Sequence, residues 1–147
     1  MSCHVSVMPA EVVQWLQPQS CQTLMDGTFG AGGHSIAIAR QLPEGGRVIA
    51  VDRDPAAVEA AAASIAGLPI EVFCHSYHRI DRIVAQAGVE SVDGVVLDLG
   101  LSSDQLADRD RGFSFTGEGF LDLRFDPTSG QSAAEFLASS SEKDIAD

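Results

Sequence analysis

Three aspartates and a run of glycines are spaced along this chain in a way that could hold a nucleoside. Asp26 opens the segment D-G-T-F-G-A-G-G-H-S directly after Thr23-Leu24-Met25. Asp52 closes the apolar run Val48-Ile49-Ala50-Val51, and Asp98 follows Val95-Val96-Leu97. Gly27, Gly30, Gly32 and Gly33 leave the backbone bare, so a ligand can lie against it, and they permit the positive φ of a tight strand-to-helix turn. Asp52 stands nineteen residues after Gly33, close to the spacing at which an acidic side chain accepts both ribose hydroxyls of an adenosine.

Two ligands use such a turn. A dinucleotide prefers G-x-G-x-x-G, with its pyrophosphate on the helix start, but here the third glycine position is Ser35. S-adenosylmethionine carries an α-amino group instead of a phosphate, and an acidic residue at the end of the first strand suits it. Asp26, Gly30 and Gly32 fit the form D-x-x-x-G-x-G. A glycine-rich surface loop without a ligand is the plain alternative. An NAD-type oxidoreductase fragment and an inactive nucleotide-binding or structural fragment are the competing functions.

The elements that would position these residues alternate. Thr23-Leu24-Met25 reads as a first strand, His34 to Leu42 as a helix, and Val48 to Asp52 as a second strand buried on both faces. Asp54-Pro55 is a helix start, with Asp54 as N-cap, and the alanine-rich run continues to Ala66 before Gly67. Pro69 to Cys74 reads as a third strand, His75 to His78 as a loop, and Arg79 to Ala87 as a helix stopped by Gly88. Asp93 to Leu99 reads as a fourth strand. This order predicts an α/β fold with a Rossmann-like, mostly parallel sheet and helices on both faces, binding its ligand at the carboxyl rim of the strands. Asp26, Asp52, the 75–78 loop and Asp98 all fall on that rim.

Composition bounds the rest. The chain has 147 residues, 45% of them apolar, enough for one domain with a real core. No apolar run approaches a membrane span and no secretory pattern opens the chain, so the expectation is a cytoplasmic protein without membrane contact. Cys3, Cys21 and Cys74 are scattered, which suits a reducing compartment. A formal net charge of −12 argues against a general nucleic-acid binder, although it leaves room for a local basic patch.

Residues 104 to 126 contain such a patch: Arg109, Arg111 and Arg124 with Phe113, Phe115, Phe120 and Phe125. Guanidinium groups pair with phosphate and rings stack on unpaired bases. The same residues could equally be packing anchors, with Asp108, Asp110, Asp122 and Asp126 neutralising the arginines, and the sequence leaves both readings open. Cys74-His75 and His78 lack a second cluster at ligand spacing, so no metal is expected.

The segments D-G-T-F-G-A-G-G-H-S, A-V-D-R-D-P, V-V-L-D-L-G-L-S-S, R-G-F-S-F and L-D-L-R-F-D-P-T-S-G-Q-S-A-A-E together resemble the bacterial small-subunit ribosomal RNA methyltransferase H family, also called MraW. The opening H-V-S-V-M before a short helix is similar too. The likeness extends over essentially the whole chain. It implies a class I methyltransferase that methylates the exocyclic N4 amine of a cytidine in 16S ribosomal RNA of the small ribosomal subunit, with S-adenosylmethionine as donor. The family's donor-binding positions fall on Gly32, Gly33, His34, Asp52, His78, Asp98 and Gln105. An aromatic is usual where His78 stands, so either His78 or Tyr77 would flank the adenine. Asp104 replaces a usual proline, which would loosen the turn presenting Gln105. Asp98 is assigned first to the donor and second to the reacting amine; the two roles stay open.

The family is roughly twice as long as this chain, in keeping with a methyltransferase fold plus an inserted helical domain. The expectation is an N-terminal part of the methyltransferase domain, its sheet incomplete on the C-terminal side, with residues from about 104 leading into the inserted region. Ser141 to Asp147 reads as the opening of a helix. Val95-Val96-Leu97 is then an edge strand, and such an edge predicts self-association, or a homodimer, and loss of turnover for the chain alone.

Overall fold

The computed structural model describes residues 6–116 and 119–146; His4 and Val5 of the opening motif, Cys3 and Asp147 lie outside them. The chain divides into two compact units that meet in sequence between Gly100 and Leu101.

The first unit is built on β1 (Thr23–Asp26), β2 (Arg47–Asp52), β3 (Ile70–Cys74) and β4 (Gly94–Val96), all parallel, in the order β3-β2-β1-β4. From β1 the chain steps outward through β2 and β3, then returns to the other side of β1 for β4. That reversal is the topological switch point at which such sheets bind ligands, and it lies beside Asp26.

Alternation along the central strands builds two cores. Leu24, Val48 and Ala50 face one side, where Ile38 and Ala39 of α2 (Gly33–Ala39), Ala61 of α3 (Pro55–Ser64) and Val12 and Leu16 of α1 (Pro9–Leu16) pack on them. Met25, Ile49 and Val51 face the other side and meet Ile83 of α4 (Ile80–Gln86). Each fully buried Leu, Ile, Val or Met side chain among these stabilises the fold by about 1.5–3 kcal/mol. Helices therefore cover both faces, as the alternating pattern predicts. Asp54 caps α3, accepting from the Ala56 N–H at 3.0 Å.

Most boundaries fall within two residues of the sequence reading, and two differ by three. The helix expected to run to Leu42 ends at Ala39, with the Gln41 N–H turning back to the Ile38 carbonyl. The fourth strand, expected to reach Leu99, stops at Val96 because its partner β1 ends at Asp26; the last bond of that edge runs from the Gly27 N–H to the Val96 carbonyl. β4 forms one edge of the sheet and β3 the other; Val95 in β4 and Leu97 just past it are exposed.

The second unit carries α5 (Ser103–Ala107), a 3-10 turn at Arg109–Arg111, α6 (Ala133–Ser139) and α7 (Glu142–Ala146). Both α5 and α6 start with a reciprocal capping box, Ser102 with Gln105 and Ser132 with Glu135. Among the described residues no helix is long and apolar enough to cross a membrane.

Candidate functional site

The glycine loop lies across the carboxyl end of β2. The Phe29 N–H donates to the Val51 carbonyl at 2.9 Å, and the Gly30 N–H to Asp52 Oδ2 at 2.7 Å. Asp52 Oδ1 accepts from the Asp54 N–H at 2.9 Å. Each oxygen has thus taken one protein donor, and an ionised carboxylate has about four acceptor sites, so both oxygens retain capacity for a ligand's hydroxyls.

Glycine is required here at two positions for different reasons. Gly32 has φ 82°, and a Cβ on it would stand 2.7 Å from the buried Phe29 ring. A Cβ on Gly27 would meet Leu97 Cδ2 at 2.5 Å and Tyr77 Cβ at 3.0 Å. Tyr77 and Leu97 therefore close on the end of β1 from two sides. Beside Gly30 there is open space, with no atom nearer than 4.0 Å to the Cβ position.

Asp26 does not face that space. It is fully buried, its Oδ2 accepting from the Ser35 hydroxyl at 2.7 Å and its Oδ1 from the Thr28 N–H at 3.0 Å. Burial pushes its carboxyl above the usual range, against the opposing pull of the Ser35 and Thr28 hydrogen bonds and of His34. The sequence reading offers Asp26 to a ligand's amino group; in the structure both of its carboxylate oxygens accept bonds from within the chain. The pattern Asp26-Gly27-Thr28, a short side chain bonding the amide two residues on, is the signal that could have shown this. Thr28 and Ser35 are the polar partners that the sequence reading passed over.

His34, in the first turn of α2, is buried, and its Nε2 lies 3.4 Å from Asp98 Oδ2. Among the described residues its buried Nδ1 has no hydrogen-bond partner, and a polar ligand atom would satisfy it. The Asp98 side chain is 44% exposed, and its backbone N–H donates to the Thr28 hydroxyl at 2.7 Å. His78 Nδ1 sits 2.7 Å from Ser76 Oγ, with both Tyr77 and His78 exposed in the 3-10 turn Tyr77–Arg79. The rim predicted from sequence is therefore real in its geometry: the glycine loop, His34, Asp52, Tyr77 and Asp98 meet around the ends of β1, β2 and β4.

Gln105 belongs to the second unit, buried, with its Oε1 accepting from the Ser102 N–H at 3.0 Å in the capping box. Asp104 stands in the first turn of that helix. The arginine and phenylalanine cluster divides. Arg111 donates from one terminal nitrogen to the carbonyls of Arg124 and Phe125, both at 2.9 Å, and lies 5.8 Å from the centre of the Phe113 ring, which itself packs on Phe125 at 5.6 Å. Arg124 forms a forked pair with Asp122 at 2.7 and 2.8 Å and also donates to the Gly130 carbonyl. Arg111, Phe113 and Arg124 are thus committed to packing, while Arg109, Phe115 and Phe120 are exposed. Among the described residues no group of three or more metal-ligating side chains converges.

A parallel sheet with its switch point at a glycine loop, followed by an acidic second strand end, defines a Rossmann-like class I methyltransferase fold. Solved structures agree on the fold. The O-methyltransferase from Bacillus cereus in complex with SAH superposes with a TM-score of 0.57 at 20% identity over 76% of this chain and 50% of that one. The O-methyltransferase TomG from Streptomyces achromogenes, in complex with SAM, gives 0.56 at 22% identity over 65% of this chain and 45% of its own. The family is given by sequence: the family model of the MraW methylase family matches residues 1–147, and the chain belongs to that family. Relatives named ribosomal RNA small subunit methyltransferase H are 48% identical over 98% of this chain in Rhodopirellula baltica and 44% identical over 99% in Xanthomonas axonopodis pv. citri. The chain spans less than half the length of these relatives, 47% and 42%.

Proposed function

We propose that this chain carries the donor-binding part of an S-adenosylmethionine-dependent methyltransferase acting on RNA of the small ribosomal subunit. The observation that supports it most directly is the carboxylate of Asp52, anchored by the Gly30 N–H on the glycine loop in a chain of the MraW methylase family. The donor fits what is present: Asp52 for the ribose hydroxyls, Gly30, Gly32, Gly33 and His34 Nδ1, which has no partner among the described residues, along the loop, and Tyr77 or His78 beside the adenine. Asp98 belongs to the family's set on the same unit, Gln105 is the position of that set carried by the second unit, and Asp26 shapes the loop through Thr28 and Ser35.

When bound, the donor supplies a methyl group made electrophilic by a sulfonium. The protein's part in such a transfer is positioning and charge placement. The narrower reading is the N4 amine of a cytidine as acceptor. That amine is a poor nucleophile because its lone pair is conjugated into the ring, and a carboxylate accepting one of its protons in a hydrogen bond favours the reactive geometry. Asp98, half exposed and oriented by His34, is suited to that role as well as to the donor. Arg109, Phe115 and Phe120, exposed in the second unit, are the part of the aromatic and basic cluster left for RNA; the small-subunit RNA would be the partner, in the cytoplasm.

Calorimetric titration of the chain with S-adenosylmethionine and NAD side by side tests the reading. Binding of the first and not the second is expected, and Asp52→Ala should weaken it by about 1.5–3 kcal/mol, the range for a hydrogen bond to a charged group. A folded Asp52→Ala that binds as the parent does would remove Asp52 from the site, and preference for NAD would overturn the reading itself.

A further inference from the structure

Thr28 joins residues that lie far apart in the chain. Its N–H donates to Asp26 Oδ1 at 3.0 Å, and its hydroxyl stands 3.4 Å from the same oxygen. The hydroxyl oxygen also accepts the Asp98 N–H at 2.7 Å, across a separation of 70 residues. On the far side Asp26 holds Ser35, and Asp98 returns to His34 in the same turn of α2. The path from Asp26 through Thr28, Asp98, His34 and Ser35 back to Asp26 is closed.

We infer that Thr28 is a positioning residue for Asp98, an inference that rests on the donor-pocket reading above. Beyond Val96 the chain leaves the strand ladder, and residues 97–100 are all exposed. The amide of Asp98 is therefore held by a side chain where a strand would otherwise hold it. That side chain is stiff, because it is β-branched and its own amide is tied to a carboxylate buried completely in the sheet. The backbone of Asp98 is thus fixed where its half-exposed carboxylate reaches His34 Nε2. The role assigned to Thr28 is exerted through Asp98, whose N–H its hydroxyl oxygen accepts.

Thr28→Val removes the acceptor and keeps the shape, whereas Thr28→Ser keeps the acceptor. Two readouts are taken on each chain: amide hydrogen exchange at Asp98, followed by NMR, and calorimetric affinity for S-adenosylmethionine. In Thr28→Val the Asp98 amide should exchange about tenfold faster and donor affinity should fall about tenfold, the scale of one hydrogen bond. Thr28→Ser should return both to within about twofold of the parent, on the same scale. Should Thr28→Val fail to fold, Thr28→Ala carries the same expectation with less bulk. An Asp98 amide as protected in Thr28→Val as in the parent overturns the inference, and so does unchanged donor affinity once that protection is lost. A parent chain that binds no S-adenosylmethionine sinks the donor-pocket reading instead, and the exchange at Asp98 then decides alone whether Thr28 holds it.

Discussion

The two units of this chain are held together by different physics. In residues 6–100 eleven apolar side chains are buried, from Leu24 to Ile83, in two clusters on opposite faces of one sheet. In the described residues of 101–146 no apolar side chain is buried; the buried ones are Gln105 and Ser132, and both cap helices. Order there comes from capping boxes, the Arg111 clasp on two carbonyls and the Asp122–Arg124 fork. Apolar burial is non-directional and cumulative, whereas a hydrogen-bonded clasp contributes little net unless its geometry holds. Substitutions should therefore break the units in different ways.

The largest effect belongs to the sheet. Ile49 is fully buried at the centre of β2, and Ile49→Ala should cost about 2–5 kcal/mol through lost transfer energy and the cavity left behind. Thermal unfolding followed by circular dichroism should show the fall, and donor binding should disappear with the fold. A loss below about 1 kcal/mol, outside the range for such truncations, would mean that β2 is not the centre of the core.

Next comes Arg111→Ala, which deprives the carbonyls of Arg124 and Phe125 of their charged donor and removes the cation over Phe113. Hydrogen bonds to charged groups are worth about 1.5–3 kcal/mol, and the change should appear as faster proteolysis within 109–130 while S-adenosylmethionine affinity stays that of the parent. If proteolysis is unchanged and only RNA methylation by the intact enzyme falls, Arg111 contacts RNA and the packing account is wrong.

The same division governs what could be read from the sequence. The parallel sheet and both helix layers were legible because Val48 to Val51 is apolar throughout and each strand is followed by a helical segment. The length of β4 was not, since Leu97 and Leu99 continue the apolar pattern after the partner strand has ended. At the site, the place of Asp52 at the end of β2 was legible from spacing, whereas the burial of Asp26 was not, because the same residue type serves a ligand or an internal turn. In the second unit apolar rings and arginines alternate without a period, so only the positions of backbone carbonyls separate Arg111, which is committed, from Arg109, which is exposed. Resemblance was the stronger guide there, and it names residues without saying what they touch.

Acid should sharpen the contrast by the smallest effect of the set. Asp122 is held down at about 2, first by its hydrogen bonds with Arg124. Its pKa is thus lower folded than unfolded, so the stability it contributes is fully present above the ordinary carboxylate value of about 3.9 and is lost as pH falls through about 2. Glu135, held down by Ser132, shifts in the same direction, so both weaken the second unit on acidification. Asp26 shifts the other way: burial raises it, so its ionisation opposes folding and acid relieves that opposition. Asp93, lowered by the N–H groups of Thr23 and Gln22 at the other end of the sheet, partly cancels this within the first unit. Pepsin cleavage followed from about pH 4 to about pH 2, the window set by these values, should therefore accelerate within 120–135 before it reaches the strands. Asp122→Asn should cleave faster at the top of that window and show a flatter dependence below it. Equal acceleration in the strands and in 120–135, or a parent-like slope in Asp122→Asn, would show that the fork between Asp122 and Arg124 does not order the second unit.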